Sequence, residues 1–223
     1  MQDRTEASSG ARRRLKVTGR GVASVDADLV VLAFGITGRD PSYSASVEKL
    51  NERVDTLRSD LEAAGVDRTK LKTTGFSVRS DRRYDRDRDV EVFLGYRASH
   101  GLTLELAFDG DHLNRVLGRA AQSASEASLR ISFGTSDPEK LRRMAMRAAV
   151  LDTRESAQVL AEAAGVELGE VEKIDYSFVE VRTRSFSYNL AEYDASVPAS
   201  PAPDVEPEAL EQEESVTVVY RLA

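Results

Sequence analysis

A five-residue string occurs twice in this chain, one hundred residues apart: Glu62-Ala63-Ala64-Gly65-Val66 and Glu162-Ala163-Ala164-Gly165-Val166. The register continues downstream, where Leu71, Phe76 and Ser77 are answered by Val171, Tyr176 and Ser177. Upstream, Asp40-Pro41 is answered by Asp137-Pro138, three residues out of step. That offset predicts a second helix longer by about one turn. An alanine-rich string ending in glycine has the composition of a last helical turn and its left-handed stop. The chain therefore reads as two copies of one unit, helix, glycine stop, strand. A repeat constrains architecture and leaves chemistry open.

With 223 residues, 41% of them hydrophobic and 31% charged, the chain can bury one sizeable core or two small ones. No apolar run approaches the roughly 20 residues a membrane span needs. Met1 to Lys16 is polar, with Arg12-Arg13-Arg14 and no apolar stretch behind it. The chain as given thus presents no secretory signal, and a cytoplasmic location is expected. There are no cysteines, which excludes disulfides, thiol catalysis and thiolate metal sites. A net charge of −7 argues against nucleic-acid binding, which needs a basic surface.

Residues 1–13 read as a disordered tail, followed by a domain over 14–223. Strands are expected at Leu15–Val25 and Leu29–Thr37. The second is nearly all apolar, which suits a central strand buried on both faces. Asp40 with Pro41 reads as the start of a helix. Its stripe runs Val47, Leu50, Val54, Leu57, Leu61 and Ala64, and Gly65 ends it. Strands at 71–79 and 90–108 follow, the latter with a bend or bulge near Gly95 or Gly101. A short helix (111–122) leads to a second copy: strand 129–133, helix 138–164 and strand 171–187. The pseudo-repeats then span about 29–108 and 129–222. Residues 189–214 hold four of the six prolines, eight acidic residues and no Lys or Arg. That composition predicts a mobile loop, closed by the alternating strand Val216–Tyr220.

Together these segments resemble the SIMPL-domain family, a family of unknown function that includes exported outer-membrane or periplasmic antigens. The resemblance covers residues 15–222. It rests on Val17-Thr18-Gly19-Arg20-Gly21 with Asp28, Ala64-Gly65-Val66, Thr73-Thr74-Gly75-Phe76-Ser77, Gly95-Tyr96-Arg97-Ala98, Ser136-Asp137, and Ala148 through Ala161 with the final Val-x-Val-x-Tyr strand. It implies an α+β fold and gives a periplasmic location as the alternative. It brings no catalytic residues with it.

Residue by residue, the chemistry is sparse. Gly19-Arg20-Gly21 precedes a strand, so it reads as tight packing and not as a phosphate loop, which must open a helix. The run Asp81 to Asp89 balances four Asp against four Arg. It reads as a solvated hairpin tip with self-paired charges, with a protein-contact loop as the alternative. His100 lies on the apolar face of its strand and reads as a hydrogen-bonded histidine at the edge of the core. His112 follows Asp111, which reads as a helix cap. Glu126, Glu139, Glu155 and Glu162 fall at scattered solvent-face positions and form no acid–base pair. The alanine-rich helix is expected to pack against its sister helix. No catalytic, cofactor-binding or metal residue is assigned. The expected protein is an α+β, non-enzymatic scaffold or binding protein without cofactor. It is expected to form a homo-oligomer and to bind protein, with no nucleic acid partner and no transmembrane segment. The alternatives are an enzyme with a small-molecule pocket between the two repeats, or a cell-envelope protein whose leader is missing.

Overall fold

The computed structural model describes residues 13–85, 89–176, 187–189 and 206–223. The elements run β1 (Arg14–Val25), β2 (Leu29–Asp40), α1 (Tyr43–Ala63), β3 (Lys72–Asp85), β4 (Val90–Ala107), α2 (Gly110–Gln122), β5 (Ser128–Gly134), α3 (Pro138–Ala164), β6 (Leu168–Asp175), β7 (Ser187–Asn189) and β8 (Leu210–Leu222). A short 3-10 turn, Arg68–Lys70, precedes β3. The fold is α+β with antiparallel pairing throughout the described sheets. The chain divides into two units. One contains β2, α1, β3, β4, α2, β5 and β7, the other β1, α3, β6 and β8.

The first of these units is a five-stranded sheet in the order β3-β4-β2-β5-β7. β2 is central, but it is buried on one face only. Val30, Leu32, Phe34 and Ile36 are buried, while the alternate Ala33 is exposed. The apolar run therefore marks a central strand without marking two covered faces. Helix α1 lies on the buried face, with Leu50, Val54, Leu57 and Leu61 inward. Ser46, not Val47, opens its buried stripe, because the helix backbone sits directly over Gly38. A Cβ at Gly38 would lie 2.3 Å from the Ser46 carbonyl oxygen. Asp40 does not cap this helix. Ser42 holds the cap position, and Asp40 instead accepts the Ser42 N–H at 2.9 Å and the Lys49 ammonium at 2.7 Å. The α1 start thus falls later relative to Asp40-Pro41 than the α3 start does relative to Asp137-Pro138. The helices are 21 and 27 residues long, and the later start adds to the three-residue offset seen in the sequence.

Strand β5 departs from the expected second repeat. It pairs with β2, from Leu29↔Gly134 to Gly35↔Ser128. Leu129, Ile131 and Phe133 are therefore buried in the core of this unit, and Phe133 meets Phe108 edge-to-face at 5.7 Å. The helix-end repeat does hold at atomic level. Val66 N–H bonds to the Leu61 carbonyl and Gly65 N–H to that of Glu62; Val166 and Gly165 make the same bonds to Ala161 and Glu162. Both glycines have positive φ, 89° and 68°, as this closing motif requires.

In the other unit the sheet order is β1-β8-β6. β8 pairs with β1 along its whole length, from Arg14↔Arg221 to Val25↔Leu210. Residues 210–214, expected within the acidic loop, therefore belong to the sheet. Leu210, Gln212 and Glu214 alternate inward and are buried, which gives this acidic stretch a reason to order. The rest of the expected loop is only partly described, since residues 190–205 and residues 1–12 lie outside the described residues.

The inward stripe of α3 is Leu141, Ala145, Ala149, Thr153, Ala157 and Ala161. It packs on β1 and β8, not on a sister helix. Small residues on the helix meet glycines on the strand. A Cβ at Gly21 would lie 2.1 Å from Ala149 N and 2.2 Å from the Ala145 oxygen. The tight-packing reading of Gly19-Arg20-Gly21 corresponds to this contact. Val17, Val216, Val218 and Tyr220 complete the core. Gly21→Ala should push α3 off β1 and destabilise the protein by about 2 kcal/mol or more. Gly134→Ala, whose Cβ would meet only the Leu29 side chain at 3.8 Å, should be close to neutral. Chemical denaturation of both variants checks the contrast.

Candidate functional site

Strand β3 forms one edge of the five-stranded sheet, and among the described residues its outer side pairs with no other strand. It is 14 residues long. Its sequence explains the edge position. Lys72, Arg79, Arg82 and Arg83 suit a wet strand, and alternation places Phe76, Val78, Ser80, Arg82 and Tyr84 on one face. Phe76 and Tyr84 are each 55% exposed.

Two irregularities shape this edge. Opposite Gly101 the register of β3 skips Thr74, and opposite Arg82 the register of β4 skips Leu94. The second is built on Gly95, at φ 126°. A side chain there would lie 2.5 Å from the Asp40 carbonyl oxygen. This bulge re-aims the hairpin end, so Val90, Val92, Phe93 and Leu94 are exposed and do not continue the inward row of Ala98, Leu102, Leu104 and Leu106. Tyr43, Tyr96 and Phe93 form a chain of edge-to-face contacts at 5.6 and 5.4 Å beside it.

Among the described residues, Asp81 and Arg82 of the Asp81–Asp89 run find partners on neighbouring strands. Asp81 accepts from Arg97 at 2.8 Å and lies 3.9 Å from Arg39, and Arg82 reaches Glu91 at 3.4 Å. Within the run, Tyr84 bonds to Asp89. Residues 86–88 lie outside the described residues.

His100 is half-buried on β4. Its Nε2 lies 3.0 Å from Thr73 Oγ1, and Phe76 meets its ring edge-to-face at 6.0 Å. Burial, with a smaller contribution from the Arg58 charge, lowers its pKa below the usual histidine value. His112 stands on α2, where Asp109, not Asp111, is the cap, accepting the His112 N–H at 2.7 Å. Asp111 lies in the first turn. The His112 ring is 3.3 Å from Arg115. Together with Arg119, Gln122 and the Ala63–Gly65 end of α1, these residues line an open groove of about 850 Å³ that contains no carboxylate.

The four glutamates stay apart. Glu126 pairs with Arg53 at 2.7 Å, Glu139 lies 3.7 Å from Arg142, Glu162 accepts from Gln158, and Glu155 is exposed. Among the described residues no group of three or more His, Asp or Glu is placed to hold a metal ion.

Two polar clusters join residues that the sequence left apart, Asp28 and Ser136 among them. Asp28 ties three strand ends together. Its backbone bonds to Gly134 and Phe108, and its carboxylate accepts the Ser136 N–H and hydroxyl, each at 2.6 Å. The Ser136 bonds hold its pKa below the ordinary aspartate value. In the other unit, buried Glu214 accepts from Tyr176 at 3.0 Å and Gln212 at 3.3 Å, with Arg142 at 3.4 Å. A buried carboxylate needs such donors. Asp28 is exposed and joins the ends of three strands, whereas Glu214 is buried beside α3.

The SIMPL family, described as a protein of unknown function (DUF541), matches residues 15–220. The chain belongs to the SIMPL family. SIMPL relatives include the uncharacterized protein YggE of Edwardsiella ictaluri, 24% identical over 93% of this chain and 87% of its own length. YggE of Escherichia coli K12 is 26% identical over 91% of this chain and 81% of its own. A 26 kDa periplasmic immunogenic protein of Brucella melitensis is 25% identical over 72% of this chain and 65% of its own. Among the described residues no helix of this SIMPL chain is long and apolar enough to cross a membrane.

A neutral His100 contributes stability above the unfolded histidine pKa of about 6.5. That contribution is lost as pH falls through the lowered folded value, because the unfolded chain binds the proton first. Denaturation midpoints at pH 7.5 and 5.5 should therefore differ more for the native chain than for His100→Gln. Asp28 acts in a separate, lower window: its stabilisation is present above about 3.9 and is lost as pH falls through its depressed value.

Proposed function

We propose that this SIMPL protein is a non-enzymatic, self-associating binding protein, and that the β3 edge is its contact surface. The observation that carries this reading is the strand itself. One side of β3 is unpaired among the described residues, and it presents Phe76 and Tyr84 to solvent. Exposed edges of this length are normally shortened, covered or paired with another chain. Pairing with a second copy satisfies the free amides and covers the aromatic side chains. The non-enzymatic reading is supported by the surroundings of both histidines. His100 contacts a threonine and a phenylalanine, and the groove beside His112 is lined without a carboxylate. An extracytoplasmic location is proposed in place of the cytoplasmic expectation, supported by the periplasmic Brucella relatives.

Light scattering coupled to size exclusion tests the reading. The native chain should show a mass above its 24.5 kDa monomer that rises with concentration, and Phe76→Arg with Tyr84→Arg should return it to the monomer. A monomer mass at every concentration would overturn the proposal.

A further inference from the structure

The geometry points to one register for the contact: two copies of β3 join antiparallel about a two-fold axis through Ser80, extending the five-stranded sheet across the dimer. This inference rests on the self-association reading and specifies its partner, a second copy of this chain, and its alignment.

A two-fold axis perpendicular to a sheet keeps every side chain on its own face. Paired residues in antiparallel strands also share a face. The axis must therefore pass through a residue, not between two, which leaves few choices along β3. An axis at Arg79, Asp81 or Arg82 sets that charge against its own copy, and an axis at Ser77 sets Lys72 against Arg82. Like charges directly opposite are destabilising. An axis at Val78 creates no repulsion and no ion pair. An axis at Ser80 places Arg79 opposite Asp81, Val78 opposite Arg82, Ser77 opposite Arg83 and Phe76 opposite Tyr84, each twice by symmetry. It alone among these combines opposite charges, an aromatic pair and no like-charge pair, the contacts that stabilise a ladder.

The structure leaves these groups available. Arg79, Ser80, Arg82 and Tyr84 are exposed. Arg79 forms no ion pair among the described residues, whereas the neighbouring Arg82, Arg97 and Arg39 each have an acidic partner. Asp81 already accepts from Arg97 and still has lone pairs for a further guanidinium. Mixed charges on an edge strand would ordinarily block pairing; in this register they match.

The absence of cysteine makes the test direct. Opposed residues in an antiparallel ladder have Cα atoms about 4.5–5.5 Å apart, within disulfide reach. Under mild oxidation, Ser80→Cys should form a covalent dimer, while Ser77→Cys, placed opposite Arg83, should not. Arg79→Asp, which sets two acids opposite each other twice, should weaken association about tenfold in light scattering. Circular dichroism confirms that each variant is folded. A native dimer in which Ser80→Cys fails to cross-link, or cross-links no faster than Ser77→Cys, overturns the register and leaves self-association standing. A monomeric native chain overturns both.

Discussion

The two long helices, α1 and α3, rest on glycines, and the rest of each unit is arranged around that contact. Above β2, Gly38 lets the α1 backbone descend to where a Cβ would touch Ser46 and Leu50. Above β1, Gly19 and Gly21 do the same for α3 at Ala145, Ala149 and Thr153. Apolar side chains alone would hold a helix and sheet about 10 Å apart, like other packed layers. Removing the Cβ on the strand and keeping Ala, Ser or Thr on the helix brings the backbones together. Dispersion contacts then come from main-chain atoms, which have no rotamers to lose.

Seating a helix so low has consequences for polar groups. Hydroxyls that enter the contact need local partners. Ser46 donates to the Tyr43 carbonyl, and Thr153 to that of Val150 and within 3.0 Å of Tyr220. The strand backbone also reaches the helix, since Arg20 N–H donates to Asp152 at 2.8 Å. Glu214, buried beside α3, is held by Arg142, Tyr176 and Gln212. β3 lies at the rim of its sheet, and among the described residues its outer side pairs with no other strand.

Most of the element order was legible in the sequence, because it rests on local signals. The limits of α3 follow from Asp137-Pro138 and Gly165, and the paired helix ends follow from the repeated pentapeptide. What was not legible depends on partners distant in sequence. Nothing local tells β5 to join β2 and not the second copy; that depends on Ile131 and Phe133 being buried in the core beside β2. Glu211 to Glu214 read as acidic loop because composition weighs every acid alike, whereas alternation with Leu210 and Gln212 was the overlooked sign of a strand. Asp40-Pro41 looked like Asp137-Pro138, but Asp40 is taken by Lys49 and Ser42. The edge proposed as a contact surface was half legible. The Asp81–Asp89 charges announced a hairpin tip, while the exposure of Phe76 and Tyr84 follows only from the edge position of β3, which is a property of the sheet order.

The most direct measurement of whether this edge is a surface for a second copy is amide hydrogen exchange along β3 as a function of concentration. Half of the amides in residues 76–84 point toward β4 and should be protected at any dilution. The other half point outward, and their exchange should slow as the concentration rises, tracking the increase in mass. Fast exchange of the outward amides at concentrations where the protein is fully associated would place the interface elsewhere and contradict the account.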